Sequence, residues 1–314
     1  MPLFDLGAAL AIAFRYFTII FLTGLGGMFS ERSGIVNIGL EGLLMIGTVA
    51  GAWGTIEHGP IVGLLAGALA GLLLSMLHAL ATVTFRVDHI VSGVVINLLA
   101  IGLARFLAQI FFGQATQSDP GIPHLSTIDI PLLSGLPLGA GRAFQNLSPV
   151  IPFALFMAIP AVLVLSRTRF GLRLRSAGEN PEAARSLGVR VAPLRYAGVG
   201  LSGLLAGFAG GFLAIEVNGL FREGQTQGLG FIALAALILG NWKPWRLALG
   251  ALLFGFAQAI PLRLNDAPVI SALPEQFIRM IPYVVTIIAI AGFVGRVQPP
   301  AAAGKAYEGG GGTI

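Results

Sequence analysis

The sequence predicts an all-α membrane protein: a polytopic bundle of about eight or nine transmembrane segments, some short or broken, in one domain covering residues 1–314. Three observations carry this. Apolar residues make up 55% of the chain and charged residues only 11%, whereas a soluble domain has about 25% charged. Apolar runs near the ~20 residues that cross a bilayer recur along the whole length. Alternation at period two is missing and Gly and Ala are abundant, which favours helices over a barrel.

The runs fall near Leu6–Phe29, Ile35–Thr55, Pro60–Thr84, Ile90–Gly113, Pro149–Leu165, Tyr196–Ile215, Gly228–Gly240, Leu247–Pro261 and Gln276–Val294. Counting the spans back puts the N-terminus outside, unless the first region is a re-entrant segment or, since Arg15 interrupts the first run, an interfacial helix over the first ~14 residues; the side of the N-terminus stays open. No cleavable secretory signal is expected, because the first charge is Asp5 and no basic stretch precedes the apolar run. Helices in lipid need close backbone approach to associate. The ladders Gly63, Gly67, Gly71 and Gly203, Gly207, Gly211 supply it, within one subunit or between two.

Orientation follows the basic residues. Ser166–Arg195 holds seven arginines and two glutamates, a net +5, and by the positive-inside rule this loop is cytoplasmic. The loop Gln114–Ser148, with Asp119, Asp129 and Arg142, then lies outside. Arg86/Asp88, Lys243/Arg246 and Arg296/Lys305 fall inside and Asp266/Glu275 outside. A flexible tail is expected over 297–314.

Several chemistries are excluded. Cysteine is absent, so there is no disulfide, iron–sulfur cluster or thiolate zinc site. The two lysines stand in Lys243-Pro244 and Lys305-Ala306, and neither fits a Walker A loop. His58, His78, His89 and His124 are scattered without metal-ligand spacing. No cofactor, metal, covalent chemistry or nucleic-acid partner is expected.

Two segments break the apolar pattern at membrane depth. Ser30–Gly42 places Glu31, Arg32, Asn37 and Glu41 among glycines. Glu216–Gly224 leads into the run Gly228–Gly240, 13 residues or ~20 Å as a helix, too short for a ~30 Å core. Irregular backbone at depth lines a cavity or is buried in protein. Paired short, glycine-interrupted segments in two halves of a chain point to a substrate path. Polar groups at depth face a cavity or one another. Asn37, Glu41, Asn97, Glu216 and Asn218 are therefore placed on a translocation path, with Arg105, Gln109 and Gln258 as further intramembrane polar groups. The alternative is structural: Asn97 and Gln109 bonding between helices, and Glu31 or Glu41 paired with Arg32 or Arg105.

Within the cytoplasmic loop, Asn180 suits an N-cap, Pro181 the first helical position, Glu182 the first turn and Gly188 the C′ position. They predict a helix of about seven residues, marginal on its own and so expected to dock something. An ion-coupled secondary transporter or a passive channel would have no use for such a lever.

Gly178-Glu-Asn-Pro-Glu-Ala-Ala-Arg-Ser-Leu-Gly188 resembles the EAA-type coupling segment of ABC-importer permeases, of the nucleoside/simple-sugar branch related to the branched-chain amino-acid permeases. Similar blocks recur in order: Ser30–Gly42, Asp88–Asn97, Arg167–Arg175, Gly228–Gly240, Pro282–Thr286 and Gly304-Lys-Ala-Tyr307, where Ala306 replaces a more usual proline. The resemblance implies a multi-pass permease of the bacterial inner membrane. It would work with a second, homologous permease, an ATP-binding subunit and an extracytoplasmic substrate-binding lipoprotein, importing nucleosides or, alternatively, simple sugars or branched-chain amino acids. It places ATPase coupling on Glu179, Asn180, Pro181, Glu182, Ala183, Ala184, Arg185 and Gly188.

Overall fold

The computed structural model describes residues 6–136, 140–264, 275–293 and 297–307. Asp266 and Arg296, used above for orientation, lie outside them. In chain order the helices are α1 (Leu6–Arg32), α2 (Leu40–His58), α3 (Pro60–Ala79, continued by a π-helical turn Leu80–Thr84), α4 (His89–Phe112), the short α5 (Pro131–Ser134), α6 (Val150–Arg167), α7 (Arg169–Glu179), α8 (Pro181–Ser186), α9 (Val191–Phe212, continued by a π-helical turn Leu213–Asn218), α10 (Leu229–Leu239), α11 (Pro244–Leu264), α12 (Glu275–Arg279) and α13 (Ile281–Phe293). Among the described residues there are no strands, only the isolated bridges Gln117–Arg222 and Ile128–Leu147.

Among the described residues six helices are long and apolar enough to cross a bilayer: α1, α3, α4, α6, α9 and α11, with α3 and α9 taken together with their π-helical turns. α10 and α13 are shorter apolar helices. α2 is 19 residues long and buried along most of its length, so its glycines, threonines and Glu41 meet protein rather than lipid. α4 and α6 lie at the periphery, with Ile90, Val94, Leu98, Phe153 and Phe156 exposed as expected of lipid-facing residues.

One alternative is decided and one boundary differs from the sequence reading. The opening residues do not form a separate surface helix: from Leu6 a single helix of 27 residues runs through Arg15 to Arg32. Its last residue meets Glu179 of the arginine-rich loop, so Leu6 stands at the opposite end of the bundle. The second span begins at Leu40, not Ile35. Gly34 at φ +98° turns the chain out of α1. Residues 33–39 then run irregularly through the protein interior, with Ser33, Ile35 and Asn37 fully buried.

The two glycine ladders pack against each other inside the subunit. A Cβ at Gly207 would strike the carbonyl oxygen of Gly67 and stand 2.9 Å from the backbone of Gly71. One at Gly51 would lie 2.5 Å from the Cα of Gly211. α2, α3 and α9 therefore meet backbone to backbone, the contact that substitutes for hydrophobic driving force in lipid. Because the obstacles are main-chain atoms, Gly207→Leu can be accommodated only by separating the helices. It is expected to lower stability by on the order of 3 kcal/mol, read as a fall in the melting temperature of the detergent-solubilised protein. An unchanged melting temperature would refute the seam.

Candidate functional site

The inner end of the bundle carries the short helix that the loop sequence predicts. Asn180 Oδ1 accepts from the Ala183 N–H at 3.0 Å, Pro181 occupies the first turn and Gly188 sits at φ +79°. Ala184 is buried against Ala177 and Val191, which anchors α8 to α7 and α9. Glu182, Ala183, Arg185 and Leu187 face outward, Leu187 being 84% exposed. Glu179 is turned toward the body of the protein. It stands 3.6 Å from Arg32 and accepts from the Ala301 N–H at 3.2 Å.

Residues 297–307 cross this end as a strap. Ala302 N–H donates to the Gly178 carbonyl at 2.8 Å and Gly304 N–H to the Gly34 carbonyl at 3.2 Å. Gln298 N–H donates to Asn241 Oδ1 at 3.0 Å. The guanidinium of Arg195, 1% exposed, lies 5.4 Å from the centre of the Tyr307 ring and donates to the Lys305 carbonyl. The part of the tail expected to be flexible that falls within the described residues is thus tied to α7, α9 and the segment after α1; 308–314 lie outside them.

The two breaks meet in the middle of the bundle. Glu41 accepts from Thr226 Oγ1 at 2.5 Å, Gly228 N–H at 2.8 Å and Gly230 N–H at 2.7 Å, and so caps the start of α10. An acidic group is suited to that position, because the first N–H groups of a helix have no partner within it. Asn97 accepts from Gly42 N–H at 2.8 Å and donates to the Ile38 carbonyl at 3.0 Å. Asn37 donates to Ser202 Oγ at 2.9 Å and accepts from Gly39 N–H at 3.0 Å. Gly230 is ten residues from Gly240, Ser202 eleven from Val191 and Asn97 eight from His89, or ~12–16 Å at the helical rise. That depth is about half of a ~30 Å hydrocarbon core.

Two histidines complete the satisfaction of this backbone. His89 Nδ1 lies 3.3 Å from the Val36 nitrogen, and His78 Nε2 lies 3.2 Å from the Val36 oxygen. His78 Nδ1 also bonds Ser92 Oγ at 2.8 Å. Neither expected carboxyl–arginine pair involving Glu31 or Glu41 forms. Glu31 accepts from Trp242 Nε1 at 2.6 Å, Arg32 donates to the Trp242 carbonyl and pairs with Glu179, and Arg105 pairs with Glu223. Gln109 bonds the Gly113 carbonyl at the end of its own helix, not a neighbouring helix.

Toward the opposite end lies a polar cavity of about 210 Å³ lined by Tyr16, Asn218, Arg222, Glu223, Gln225, Gln227 and Gln258, with Leu229 at the start of α10. Tyr16 is 16 residues from Arg32 and Gln258 is 14 from Pro244, ~21–24 Å at the helical rise. The cavity is thus nearer the outer face than the Glu41 knot. Its wall is pinned by the loop before α5: Ser118 N–H donates to the Phe221 carbonyl, Glu223 N–H to the Thr116 carbonyl and Leu125 N–H to Glu216 Oε1.

The five residues read onto the path from sequence separate into three groups. Asn37, Glu41 and Asn97 come together at mid-depth, where they bond backbone and the hydroxyls of Ser202 and Thr226. Glu216 holds the outer loop. Asn218 lines the cavity. Tyr16, Gln225 and Gln227 join the lining beyond the residues that the sequence places on the path. Tyr16 carried no signal against an apolar helix, while the clustered Gln225 and Gln227 beside the second break did.

The chain matches the family described as branched-chain amino acid transport system / permease component over residues 9–290. It is 44% identical over 304 residues to the nucleoside ABC transporter permease protein NupC of Lactococcus lactis subsp. cremoris, covering 93% of this chain and 94% of that protein. Identity to the guanosine ABC transporter permease protein NupQ of Bacillus subtilis is 40% over 299 residues, 93% of each chain. A second protein of the same bacterium, the guanosine ABC transporter permease protein NupP, is 25% identical over 90% of this chain and 81% of its own length. With this match over most of its length and six helices able to span a bilayer, the chain belongs to the branched-chain amino acid transport system permease family and is a multi-pass permease of an ABC transporter in the bacterial plasma membrane.

Proposed function

We propose that this protein is the permease subunit of an ATP-driven importer that carries nucleosides inward, without ATPase activity of its own. The observation that carries the reading is the chemistry of the outer cavity. Its wall holds four uncharged amides, the Tyr16 phenol, the exposed Arg222, and Glu223, the last already paired with Arg105. A branched-chain amino acid would find a cation for its carboxylate in Arg222, but it would also require a free anion for its ammonium and an apolar slot, and the lining carboxylate Glu223 is taken by Arg105 in a mostly polar wall. A nucleoside is neutral and presents hydroxyls and base edges to which amides bond. The 44% identity to a nucleoside permease supports the same choice.

The cavity is smaller than the ~300–1,000 Å³ of ordinary ligand pockets. It therefore holds one end of the solute, and a second, homologous permease supplies the facing wall. The presence of two similar guanosine permease proteins in one Bacillus supports such a pair. An extracytoplasmic binding lipoprotein delivers the solute, and a separate ATPase receives α8. Glu182, Ala183, Arg185 and Leu187 form the docking face. Asn180, Pro181 and Gly188 shape the helix, Ala184 anchors it, and Glu179 connects it to Arg32. Domain closure on ATP moves this lever and, through Gly178, Arg32 and residues 33–39, the Glu41 knot.

Reconstitution of both permeases, the ATPase and the lipoprotein in vesicles tests the reading. ATP-dependent accumulation of labelled uridine or guanosine is expected, with no accumulation of leucine or glucose. Accumulation of leucine or glucose in place of nucleosides would overturn the substrate assignment. Accumulation by the isolated chain against a gradient would overturn the machine.

A further inference from the structure

Within the outer cavity one amide has an unfilled donor. Gln225 is 9% exposed, and its Oε1 accepts from Asn218 Nδ2 at 2.8 Å and from the Arg222 backbone N–H at 3.3 Å. Among the described residues its Nε2 has no hydrogen-bond partner. The orientation is not arbitrary. A backbone N–H can only donate, so the amide atom facing Arg222 must be the oxygen. The NH2 of Gln225 is thereby directed elsewhere. The same oxygen requires a donor from Asn218, which leaves Asn218 Oδ1 as an acceptor not used by this bond. A buried unpaired amide donor costs about 1–3 kcal/mol, and such a group in a native protein calls for an explanation, a missing ligand among them.

We propose that the Asn218–Gln225 pair is the specificity-determining element for the base of the transported nucleoside: Gln225 Nε2 donates to an acceptor on the base edge and Asn218 Oδ1 accepts from the neighbouring donor. This inference rests on the nucleoside reading above. Every common base carries an adjacent donor and acceptor on its pairing edge, and because the base can turn over, the pair admits purines and pyrimidines alike. A purine riboside without an exocyclic group offers ring acceptors but no donor, so it leaves Asn218 Oδ1 unmatched.

The geometry makes a directional prediction. Gln225→Glu keeps the oxygen that meets Asn218 and Arg222 but turns the free donor into an acceptor. Two acceptors side by side match two adjacent donors, which guanine presents at its ring N–H and 2-amino group and hypoxanthine does not. In vesicles bearing the complete assembly, the guanosine-to-inosine uptake ratio of Gln225→Glu is expected to rise about tenfold over the unaltered protein. Both nucleosides are read in the same vesicles with the same lipoprotein, so subunit abundance and delivery cancel from the ratio. An unchanged ratio in a variant that still transports overturns the proposal. Should Gln225→Glu fail to assemble, equilibrium competition on the unaltered permease–ATPase assembly, free of lipoprotein, decides it. Purine riboside should displace labelled inosine about tenfold less well than guanosine does, and equal displacement refutes the amide pair. Failure of the underlying reading has a different signature, in which the unaltered assembly accumulates no nucleoside at all.

Discussion

Glu41→Ala is expected to abolish uptake and to destabilise the protein by on the order of 5 kcal/mol. Three donors, Thr226 Oγ1 and the N–H groups of Gly228 and Gly230, lose their acceptor together. Each buried donor left unpaired costs about 1–3 kcal/mol, and a methyl group cannot replace any of the bonds. At this depth water is not at hand to fill them. The start of α10 then loses the group that satisfies it, and the two breaks lose the contact that holds one against the other. Glu41→Gln retains one side-chain oxygen and a similar shape, so it should recover part of the stability. The measurement is melting temperature in detergent alongside uptake in vesicles. If Glu41→Ala melts like the unaltered protein, the knot does not carry the connection between the halves of the chain.

The same residue shows where sequence reading reaches its limit. Apolar runs and small-residue spacing mark the helices because burial in lipid imposes itself on every local stretch of chain. α8 is legible for a similar reason: Asn180, Pro181 and Gly188 act on backbone within a few residues of themselves. The partner of Glu41 stands 185–189 residues away, and that of Glu31 is 211 away at Trp242. Nothing in the local pattern distinguishes an arginine partner from a helix terminus or an indole N–H. His78 and His89 look scattered because their meeting point, Val36, belongs to a segment the apolar pattern assigns to a helix. The glycine ladders display their spacing but not their counterpart, which is α3 against α9 inside one subunit. In the candidate site, the break beside Asn218 is legible, whereas Tyr16 and Gln258 reach the cavity only through the packing of α1 and α11.

Leu187→Asp is expected to remove ATP-driven uptake while leaving insertion and fold intact. The side chain is 84% exposed, beyond the buried anchor at Ala184 and just before the turn at Gly188. An apolar group held outward on a capped helix in a basic loop gains nothing for this chain alone. A surface substitution away from structural features usually changes stability by no more than about 0.5 kcal/mol, so the fold has little to lose. At a docked interface the same change forces a charge into a desolvated pocket, where truncation of a central residue costs about 2 kcal/mol or more. The variant should therefore reach the membrane at normal levels, melt normally and fail to retain the ATPase during purification. Because the chain has no cysteine, Ala183→Cys offers an independent reading of the same contact. It should cross-link to a single cysteine in the ATPase groove, and the added Leu187→Asp should abolish that product. Undiminished ATPase retention in Leu187→Asp would move the docking face away from α8. In that case the capped helix would be a feature of the loop alone, and the route from α8 through Arg32 to Glu41 would have no source of work.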